Sequence, residues 1–454
     1  MNQLLIKAQK ITGIDGAVFY RLCATALSIL TGPITLVLIT MYFSLEEQGV
    51  YYTFVSLTAL QVFFELGLTG IITQYTAHEV AHLRILPDRI LVGPERNLSR
   101  LASLFTVFTK WFIVAGILLV VFLVITGWIF FTRNNTDLEI KWQLPWVVLS
   151  VGTGLFLILN MFPAFFEGFG YVKEMAKIRL WTQFAAFAGI AVCFLTGHGL
   201  YALGCAAFIR CILIGVALFA GKYHVLSKQL LQMRQTEIIP YWREVFPYQW
   251  KISVSWLSGY LIFNLFNPIL FAYCGAKAAG QMGMTTGVVH IITGISTAWI
   301  NTKIPAISML IAKNDYKKLD GLFKKTLFQE LVVSASIAFG FIACLWIAKR
   351  IGLEYKGVLL NERFLPISCC ACFVTSAFLN ILAFSFATYL RCHKQEPFLW
   401  NSVVTGIVVA LSSLLCAKYS GVFALCLSYL IITVFTNVWG YLIYTNKKKA
   451  WHHV

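Results

Sequence analysis

Ionisable side chains stand inside several apolar runs of this sequence that are long enough to cross a membrane. The clearest is Glu65, which lies in QVFFELGLTGIITQ, residues 61–74. The others are Arg21, Lys110, Glu167, Arg210, Lys251, Lys303 and Glu330. Because charges in hydrocarbon are costly, such residues usually face a bundle interior or a water-filled cavity and are functional candidates. The chemistry they suggest is the binding of a charged cargo or of an ion.

Arg21 and Lys251 are the best candidates for binding an anion. Both lie near the predicted cytoplasmic ends of apolar helices, at equivalent places in the two halves of the chain. Arginine offers a planar fork that suits phosphate, and lysine offers a compact charge. Two cations that face each other across a cleft would bind a doubly charged head group. The alternative is that both only anchor their helices in the head-group region of the lipid.

Glu65 is the deepest carboxylate in the predicted spans. It could pair with a cation on a neighbouring helix, and Arg21 is the obvious partner. A carboxylate that is balanced between burial and a nearby cation could also carry a coupling proton or help to hold Na+. A coupling ion, Na+ or H+, is therefore one hypothesis, and a fixed ion pair between helices is the other. No further cofactor is expected.

Polar and helix-breaking residues interrupt two of the apolar runs. Asn264, Asn267 and Pro268 interrupt FNLFNPILF in the seventh run, and Gly32 and Pro33 interrupt the first. Proline frees backbone carbonyls, which a membrane protein tolerates where neighbouring helices or water satisfy them. Bent helices at matching places suit an alternating-access transporter, whereas a plain structural kink is the alternative.

Three further residues complete the set of binding candidates. His290 lies on the eighth apolar run and could face the same cleft. Lys110 and Arg210 lie in the third and sixth runs, close enough to the predicted ends for their long side chains to reach the interface. For both cations, a role in binding and simple contact with the interface stay open as alternatives.

The composition indicates a membrane protein. Of 454 residues, 59% are hydrophobic and 12% are charged, whereas about a quarter of a soluble domain is charged. Lysine and arginine outnumber aspartate and glutamate by 36 to 19, for a net charge of +17. Since the cations fall between the apolar runs, we attribute them to topology and to anionic lipid rather than to nucleic acid.

The cysteines of CCAC, residues 369–372, have no histidine or carboxylate at metal-ligand spacing, so no metal site is predicted.

About twelve segments have the roughly 20 apolar residues that a transmembrane helix needs. They lie near residues 17–43, 50–76, 103–131, 144–167, 176–197, 199–220, 246–274, 281–306, 325–348, 365–390, 398–417 and 420–444. Cation-rich loops alternate with cation-poor ones, from Lys7 and Lys10 to Lys447–Lys449, so both termini are predicted to be cytoplasmic. One loop is an exception to this alternation, with the cations Lys349, Arg350, Lys356 and Arg363.

The two halves of the chain resemble each other. YRLCATALS at 20–28 aligns with WKISVSWLS at 250–258, and RLASLF at 100–105 aligns with KLDGLF at 318–323. Between these matches, Tyr42 and Gly49 have the spacing of Tyr273 and Gly280. These matches, in one order, predict a duplicated six-helix unit, with a pathway at the interface of the two lobes. The predicted lobes are residues 1–222 and 246–454, joined by a cytoplasmic linker at 223–245.

Sequence motifs of the common membrane enzymes and ATPases are missing. The chain has no GxxxxGK[ST] phosphate loop, no HExxH and no GxSxG. Its five aspartates never form the DxD pattern that binds metal in many sugar-nucleotide transferases. The protein is therefore expected not to be an enzyme.

Four segments resemble those of a known family. They are SLEEQGVYYTF, FFELGLTGIITQ, FFEGFGYVKEMAKIRLW and YLRCHKQEPFLW. Together they are similar to the oligosaccharide flippases of O-antigen and capsule synthesis (Wzx type). That family belongs to the superfamily of the MATE drug exporters and the lipid II flippases. The resemblance spans the whole chain and implies an all-α, twelve-helix, two-lobed protein of a bacterial inner membrane.

The resemblance also implies a cargo and a site. The cargo would be an undecaprenyl-pyrophosphate-linked sugar repeat unit that moves from the cytoplasmic to the periplasmic leaflet. Members are similar in having a cationic central cavity, which fits Arg21 and Lys251, and they often have an acidic residue at the position of Glu65. Many also have an acidic residue near Asn264 or Asn267. The amides at these positions depart from that pattern and weaken any coupling mechanism that needs a carboxylate there.

Two other functions compete with the flippase. A MATE-type exporter of small molecules would share the fold and the repeat, but a cationic cavity should disfavour organic cations. A membrane glycan polymerase or ligase would alter sugar-chain length instead of trapping lipid-linked units. The expected partners are the lipid-linked oligosaccharide and membrane lipid, with polysaccharide assembly proteins as an open alternative. The protein is expected to be a monomer.

Overall fold

The structure is a computed structural model, and it describes residues 16–86, 90–134, 139–220, 223–233, 237, 239–393 and 395–452. The predicted cytoplasmic cations Lys7 and Lys10 lie outside these residues. Almost all of the described chain is helical. The two short hairpins pair β1 (Arg84–Ile85) with β2 (Leu91–Val92) and β3 (Glu354–Tyr355) with β4 (Val358–Leu359).

The α-helices follow one another with short connections. In chain order they are α1 (Gly16–Tyr42), α2 (Leu45–Thr58), α3 (Val62–Glu65), α4 (Leu68–Val80), α5 (Glu95–Asn134), α6 (Gln143–Gly168), α7 (Val172–Leu195), α8 (Ala202–Gly215), α9 (His224–Gln232), α10 (Tyr241–Glu244), α11 (Phe246–Phe263), α12 (Phe266–Ala312), α13 (Tyr316–Ile351), α14 (Ile367–Arg391), α15 (Leu399–Tyr419) and α16 (Gly421–His452). Short 3-10 helices cover Ala59–Gln61, Gly199–Tyr201 and Leu360–Arg363, and a π-helical turn covers Val216–Ala220.

Eleven helical segments of the described chain are long and apolar enough to cross a membrane. One of them, Gln249–Ile311, has 63 residues, which is enough for two spans of about 20 residues each. It is interrupted by Gly275, whose φ of 86° and ψ of 170° are not helical. The predicted all-α, multi-pass architecture of about twelve spans is thus confirmed.

Contacts divide the chain into two compact units. The first contains the chain as far as Thr31 together with Thr58–Trp256, and the second contains Gly32–Leu57 together with Leu257–Val454. Aromatic packing forms much of each interior. In the first unit the Phe105 and Phe165 rings are 4.9 Å apart, and in the second the Phe386 and Tyr444 rings are 4.6 Å apart. The predicted lobes and their internal repeat stay a prediction.

Glycine allows two helices of the second unit to pack backbone against backbone. A Cβ atom on Gly49 of α2 would overlap the carbonyl oxygen of Ala276 in α12, and one on Gly280 would lie 2.9 Å from the Gly49 nitrogen. Small residues at such crossings let membrane helices approach closely without a hydrophobic driving force. Gly49 and Gly280, which the sequence comparison aligned with each other, are therefore in contact.

Candidate functional site

Arg21 lies on α1 and pairs with a carboxylate other than the expected one. Its Nη2 atom is 3.9 Å from Oε2 of Glu167 at the end of α6, while Arg179 of α7 lies 3.1 Å from the other oxygen. The predicted pair of Arg21 with Glu65 is not formed. The Arg21 side chain is 59% exposed and that of Glu167 is 10% exposed. Because such a long, exposed pair contributes little, the Arg21 guanidinium is available to a further anion.

Glu65 is buried at a break in the second membrane-spanning segment. It is the last residue of α3, and the next two residues, Leu66 and Gly67, have left-handed φ values of 51° and 68°. α4 then resumes at Leu68. The hydroxyl of Thr69 donates a 2.7 Å hydrogen bond to Oε1 of Glu65. The carboxylate is thus held by a residue just beyond the break instead of by Arg21.

The second turn of α11 packs against this break in the same unit. Ser253 donates a 2.9 Å hydrogen bond from its hydroxyl to the carbonyl oxygen of Leu66, which the left-handed turn leaves free of its helical partner. A Cβ atom on Gly67 would lie 2.5 Å from Cγ2 of Ile252. Lys251 comes directly before these two residues and is exposed. The structure therefore places Lys251 on the helix turn that supports the Glu65 break.

Lys251 has no carboxylate at ion-pair distance among the residues that the structure describes. It is an exposed cation in a helix that counts as part of a membrane span. A lysine in a membrane span needs an anion as counter-charge, or else contact between its ammonium group and the lipid head groups. That Lys251 and Arg21 hold one anion together stays a prediction.

The two asparagines of the seventh span lie in the second unit and differ in their surroundings. Asn264 lies in the interruption between α11 and α12, as the sequence predicts. Asn267 is buried, and its amide donates a 3.0 Å hydrogen bond to the Ser56 hydroxyl of α2. Its own carbonyl oxygen has no hydrogen-bond partner. In this conformation Asn267 joins α12 to α2.

The remaining candidates are dispersed. Lys110 is exposed on α5, and the Arg210 guanidinium of α8 lies over the Phe156 ring of α6, 5.9 Å from its centroid. Cation–π contact of this kind stabilises the charge within the bundle. His290 lines a cavity of about 230 Å³ inside the second unit. A role of these three residues in binding stays a prediction.

Glu330 on α13 is one of the carboxylates that the sequence places inside an apolar run. Its side chain is fully buried within the protein. One carboxylate oxygen accepts a 2.9 Å hydrogen bond from the Ile300 amide of α12, and the other accepts a 2.6 Å hydrogen bond from the Ser385 hydroxyl of α14. Glu330 thus joins three helices. The only sequence signal was a lone carboxylate in the apolar stretch LFQELVVSAS.

Arg363 is one of the four cations in the loop that breaks the alternation of charge, and it has a structural role. Its side chain is buried, and Nη1 donates to the carbonyl oxygen of Phe43 at 2.7 Å, just beyond the end of α1. Gln48 of α2 donates in turn to the carbonyl oxygen of Arg363 at 3.0 Å. Burial lowers the pKa of Arg363 from its usual value, and the charge of Glu46 opposes that shift. The guanidinium of Arg363 thus satisfies a backbone carbonyl at the end of a helix.

Arg100 at the start of α5 holds part of the predicted linker to the first unit. Its guanidinium lies 2.9 Å from a Glu79 oxygen of α4 and 2.8 Å from a Glu244 oxygen of α10. The Tyr75 hydroxyl donates to the carbonyl oxygen of Glu244 at 2.7 Å. The linker is therefore fixed at its carboxyl end by an arginine shared between two carboxylates.

The fold and the buried ionisable residues define the class of protein. It is a multi-pass α-helical membrane protein with charged and polar groups at breaks in its helices. Residues 17–311 match the model of the family described as "Polysaccharide biosynthesis protein", so the chain belongs to that family. A comparison with curated protein sequences gives no match.

Solved structures of the MOP superfamily share this fold. A MATE family multidrug resistance transporter in an inward-facing conformation has a TM-score of 0.59 and 12% identity, over 93% of this chain and 99% of that chain. The lipid II flippase MurJ in an inward closed conformation has a TM-score of 0.60 and 11% identity, over 94% and 87%. A MOP superfamily transporter from Pyrococcus furiosus has a TM-score of 0.54 and 12% identity, over 96% of both chains.

Proposed function

We propose that this protein flips undecaprenyl-pyrophosphate-linked oligosaccharide repeat units from the cytoplasmic to the periplasmic leaflet by alternating access. The product would serve O-antigen or capsular polysaccharide synthesis. Membership of a polysaccharide biosynthesis family and a fold similar to that of a lipid II flippase support a lipid-linked cargo. The observation that carries the proposal is the exposed guanidinium of Arg21, which lies within a membrane-spanning helix and has only a 3.9 Å ion pair.

The cations have distinct roles in this proposal. Arg21 binds pyrophosphate oxygens through its planar fork, and Lys251 adds a second positive charge. Glu65 lies at the helix break that the turn after Lys251 supports. A change in the charge of Glu65 would therefore act on a bend in the second span. We propose Glu65 as the group on which a coupling ion, Na+ or H+, acts.

The location and partners follow from the same proposal. A polyprenyl-linked cargo is made at the cytoplasmic face, so the protein would lie in the bacterial inner membrane. Both termini would be cytoplasmic because their flanking segments are rich in lysine. The protein would act as a monomer, with polysaccharide assembly proteins receiving its product.

Export of small molecules is the second candidate function, and the likeness to a MATE transporter fold favours it.

Leaflet exchange in reconstituted vesicles tests the proposal. A fluorescent polyprenyl-pyrophosphate oligosaccharide is placed in the membrane, and an impermeant quencher reports how much of it becomes accessible. The wild type is compared with Arg21→Ala/Lys251→Ala and with Lys349→Ala/Arg350→Ala, which removes the same charge from the end of α13. We expect exchange in the wild type and in the control pair and its loss in the first pair. Absence of exchange in the wild type, with an ion gradient and a potential imposed, would contradict the flippase and direct attention to organic-cation efflux.

A further inference from the structure

The second compact unit contains a cavity that the pyrophosphate site does not use. Its volume is about 230 Å³, and it lies among α11, α12, α14 and α16. The rings of Phe266, Phe373 and Tyr429 are buried and form its floor, whereas Phe263 and Phe384 are 42% and 37% exposed at its edge. The cavity is therefore a pocket with an aromatic floor and an accessible mouth.

The floor is a packed set of three rings. Phe266 stands edge-on to Phe373 and to Tyr429, at centroid distances of 5.2 Å and 5.0 Å, and Phe373 stacks on Tyr429 at 5.1 Å. These rings come from three different helices and hold one another in place, in the offset and edge-on arrangements that aromatic pairs prefer. The floor thus offers a rigid apolar surface to a flat ligand.

One wall of the pocket is polar and belongs to a single helix. Thr286, His290 and Thr293 of α12 line it at the spacing of one helix face. Both threonine hydroxyls donate to carbonyl oxygens of their own helix, to Met282 at 2.9 Å and to Val289 at 2.8 Å. Their oxygen lone pairs therefore remain able to accept hydrogen bonds from a ligand.

Asn380 of α14 supplies an oriented amide to the same pocket. Its nitrogen donates a 3.0 Å hydrogen bond to the Tyr429 hydroxyl, which fixes the side chain. The lining includes no aspartate, glutamate, lysine or arginine. A ligand with a net charge would find no counter-charge there, so the pocket suits a neutral molecule with an apolar face and hydroxyl groups along its edge.

We infer that this pocket binds a neutral pyranose ring of the oligosaccharide cargo. The inference rests on the proposed flippase function, because the sugar is part of that cargo. A pyranose has an apolar C–H face for the aromatic floor and hydroxyls for the threonine, histidine and asparagine groups. An apolar cavity of about 150 Å³ accommodates a benzene ring, so a cavity of about 230 Å³ has room for a six-membered ring with its substituents. A polyprenyl or acyl chain would offer no hydrogen bond to the His290 imidazole or to the oxygen of the Asn380 amide, whose nitrogen is bonded to Tyr429, and such a loss is costly.

Photolabelling of the full-length protein in lipid nanodiscs tests the inference. The first probes are polyprenyl pyrophosphates linked to glucose, galactose or N-acetylglucosamine, each with a diazirine on the sugar. The second probe has its diazirine in the polyprenyl chain. Labelled peptides are mapped by mass spectrometry. We expect at least one sugar probe to label the segments 286–293 or 373–384, and the chain probe to label other segments.

The variants test the same site by two routes. Ala377 lies buried on the floor, so Ala377→Phe should fill the pocket and abolish sugar labelling there, while Ala371→Phe on the exposed side of α14 should not. His290→Leu and Asn380→Leu keep the size of the side chain, and each should reduce labelling by about fivefold, as expected for the loss of one hydrogen bond.

Two results would overturn the inference. One is labelling of the pocket by the chain probe but by none of the sugar probes, which would make the pocket an acyl-chain site. The other is the absence of pocket labelling by every sugar probe, whatever the leaflet-exchange assay shows. Pocket labelling without leaflet exchange would support the sugar site and contradict the flippase, so the two failures are distinguishable.

Discussion

The Thr69 hydroxyl donates a 2.7 Å hydrogen bond to the Glu65 carboxylate across the two left-handed residues that break the second span. A carboxylate so close to a helix break could bend or straighten the span as its charge changes. The same break receives the Ser253 hydroxyl on its free carbonyl oxygen. Glu65 and the second turn of α11 are thus coupled through one short stretch of backbone.

Glu65→Gln should slow ion-driven leaflet exchange by about tenfold or more if the carboxylate accepts the coupling ion, an effect in the range of a general acid–base or ion-binding group. The amide keeps the size of the side chain and can still accept the Thr69 hydrogen bond. Leaflet exchange would be measured with imposed pH and Na+ gradients. Thr69→Val is the control, since it removes the donor but leaves the charge. A Glu65→Gln protein that responds to both gradients like the wild type would rule out coupling at this residue.

Gly67→Ala should destabilise the protein by about 1–2 kcal/mol through its left-handed backbone alone. A Cβ atom there would also meet Ile252 at 2.5 Å, so the total loss should be larger. Gly70→Ala is the matched control, because a Cβ atom at Gly70 has nothing within 4 Å. The measurement is the thermal unfolding midpoint in detergent. Adding Ile252→Ala to Gly67→Ala should restore only the stability that is lost through the overlap with Ile252. A Gly67→Ala midpoint equal to that of Gly70→Ala would show that the break is absent.

Arg363→Met should destabilise the second unit by about 1–3 kcal/mol, because the Phe43 carbonyl and the Gln48 amide lose a buried partner. The expected result is faster amide hydrogen exchange at the start of α2, measured by mass spectrometry. Lys356→Met in the same loop is the control, since Lys356 is exposed and lies over the Tyr42 and Tyr355 rings. Equal exchange in the two variants would mean that Arg363 does not hold the end of α1.

Glu330→Ala should cost about 2–5 kcal/mol, because it removes the acceptor of two buried hydrogen bonds, from the Ile300 amide and the Ser385 hydroxyl, and opens a cavity. Glu330→Gln keeps the volume and one acceptor oxygen, so it should retain most of the stability. Unfolding would be followed by denaturant titration in detergent, with the exposed Glu354→Ala as control. A Glu330→Ala protein as stable as the control would show that the three helices do not depend on this bridge.

The membrane-spanning architecture could be predicted from the sequence because hydrocarbon imposes a simple rule. Every span needs about 20 apolar residues and has its backbone hydrogen bonds within the helix. The interruption at Asn264 could be found in the same way, since polar residues and proline next to it are local signals. The Glu65 break had a local signal too, the glycine at position 67, but the sequence did not reveal that Leu66 shares the left-handed conformation.

Only the tertiary structure decided which charged groups meet. The sequence offered Arg21 as the partner of Glu65, yet Arg21 lies beside Glu167, which is distant in sequence. The sequence counted Arg363 among the cations that break the alternation of charged loops, and only the structure shows its hydrogen bond to the Phe43 carbonyl oxygen. An ion pair or a capped carbonyl depends on the distance between two helices and on which faces they turn to each other. Apolar helix faces are equally compatible with lipid, so the sequence contains little information about which faces pack together. The partners of charged groups and the walls of pockets are therefore known only from the packed structure.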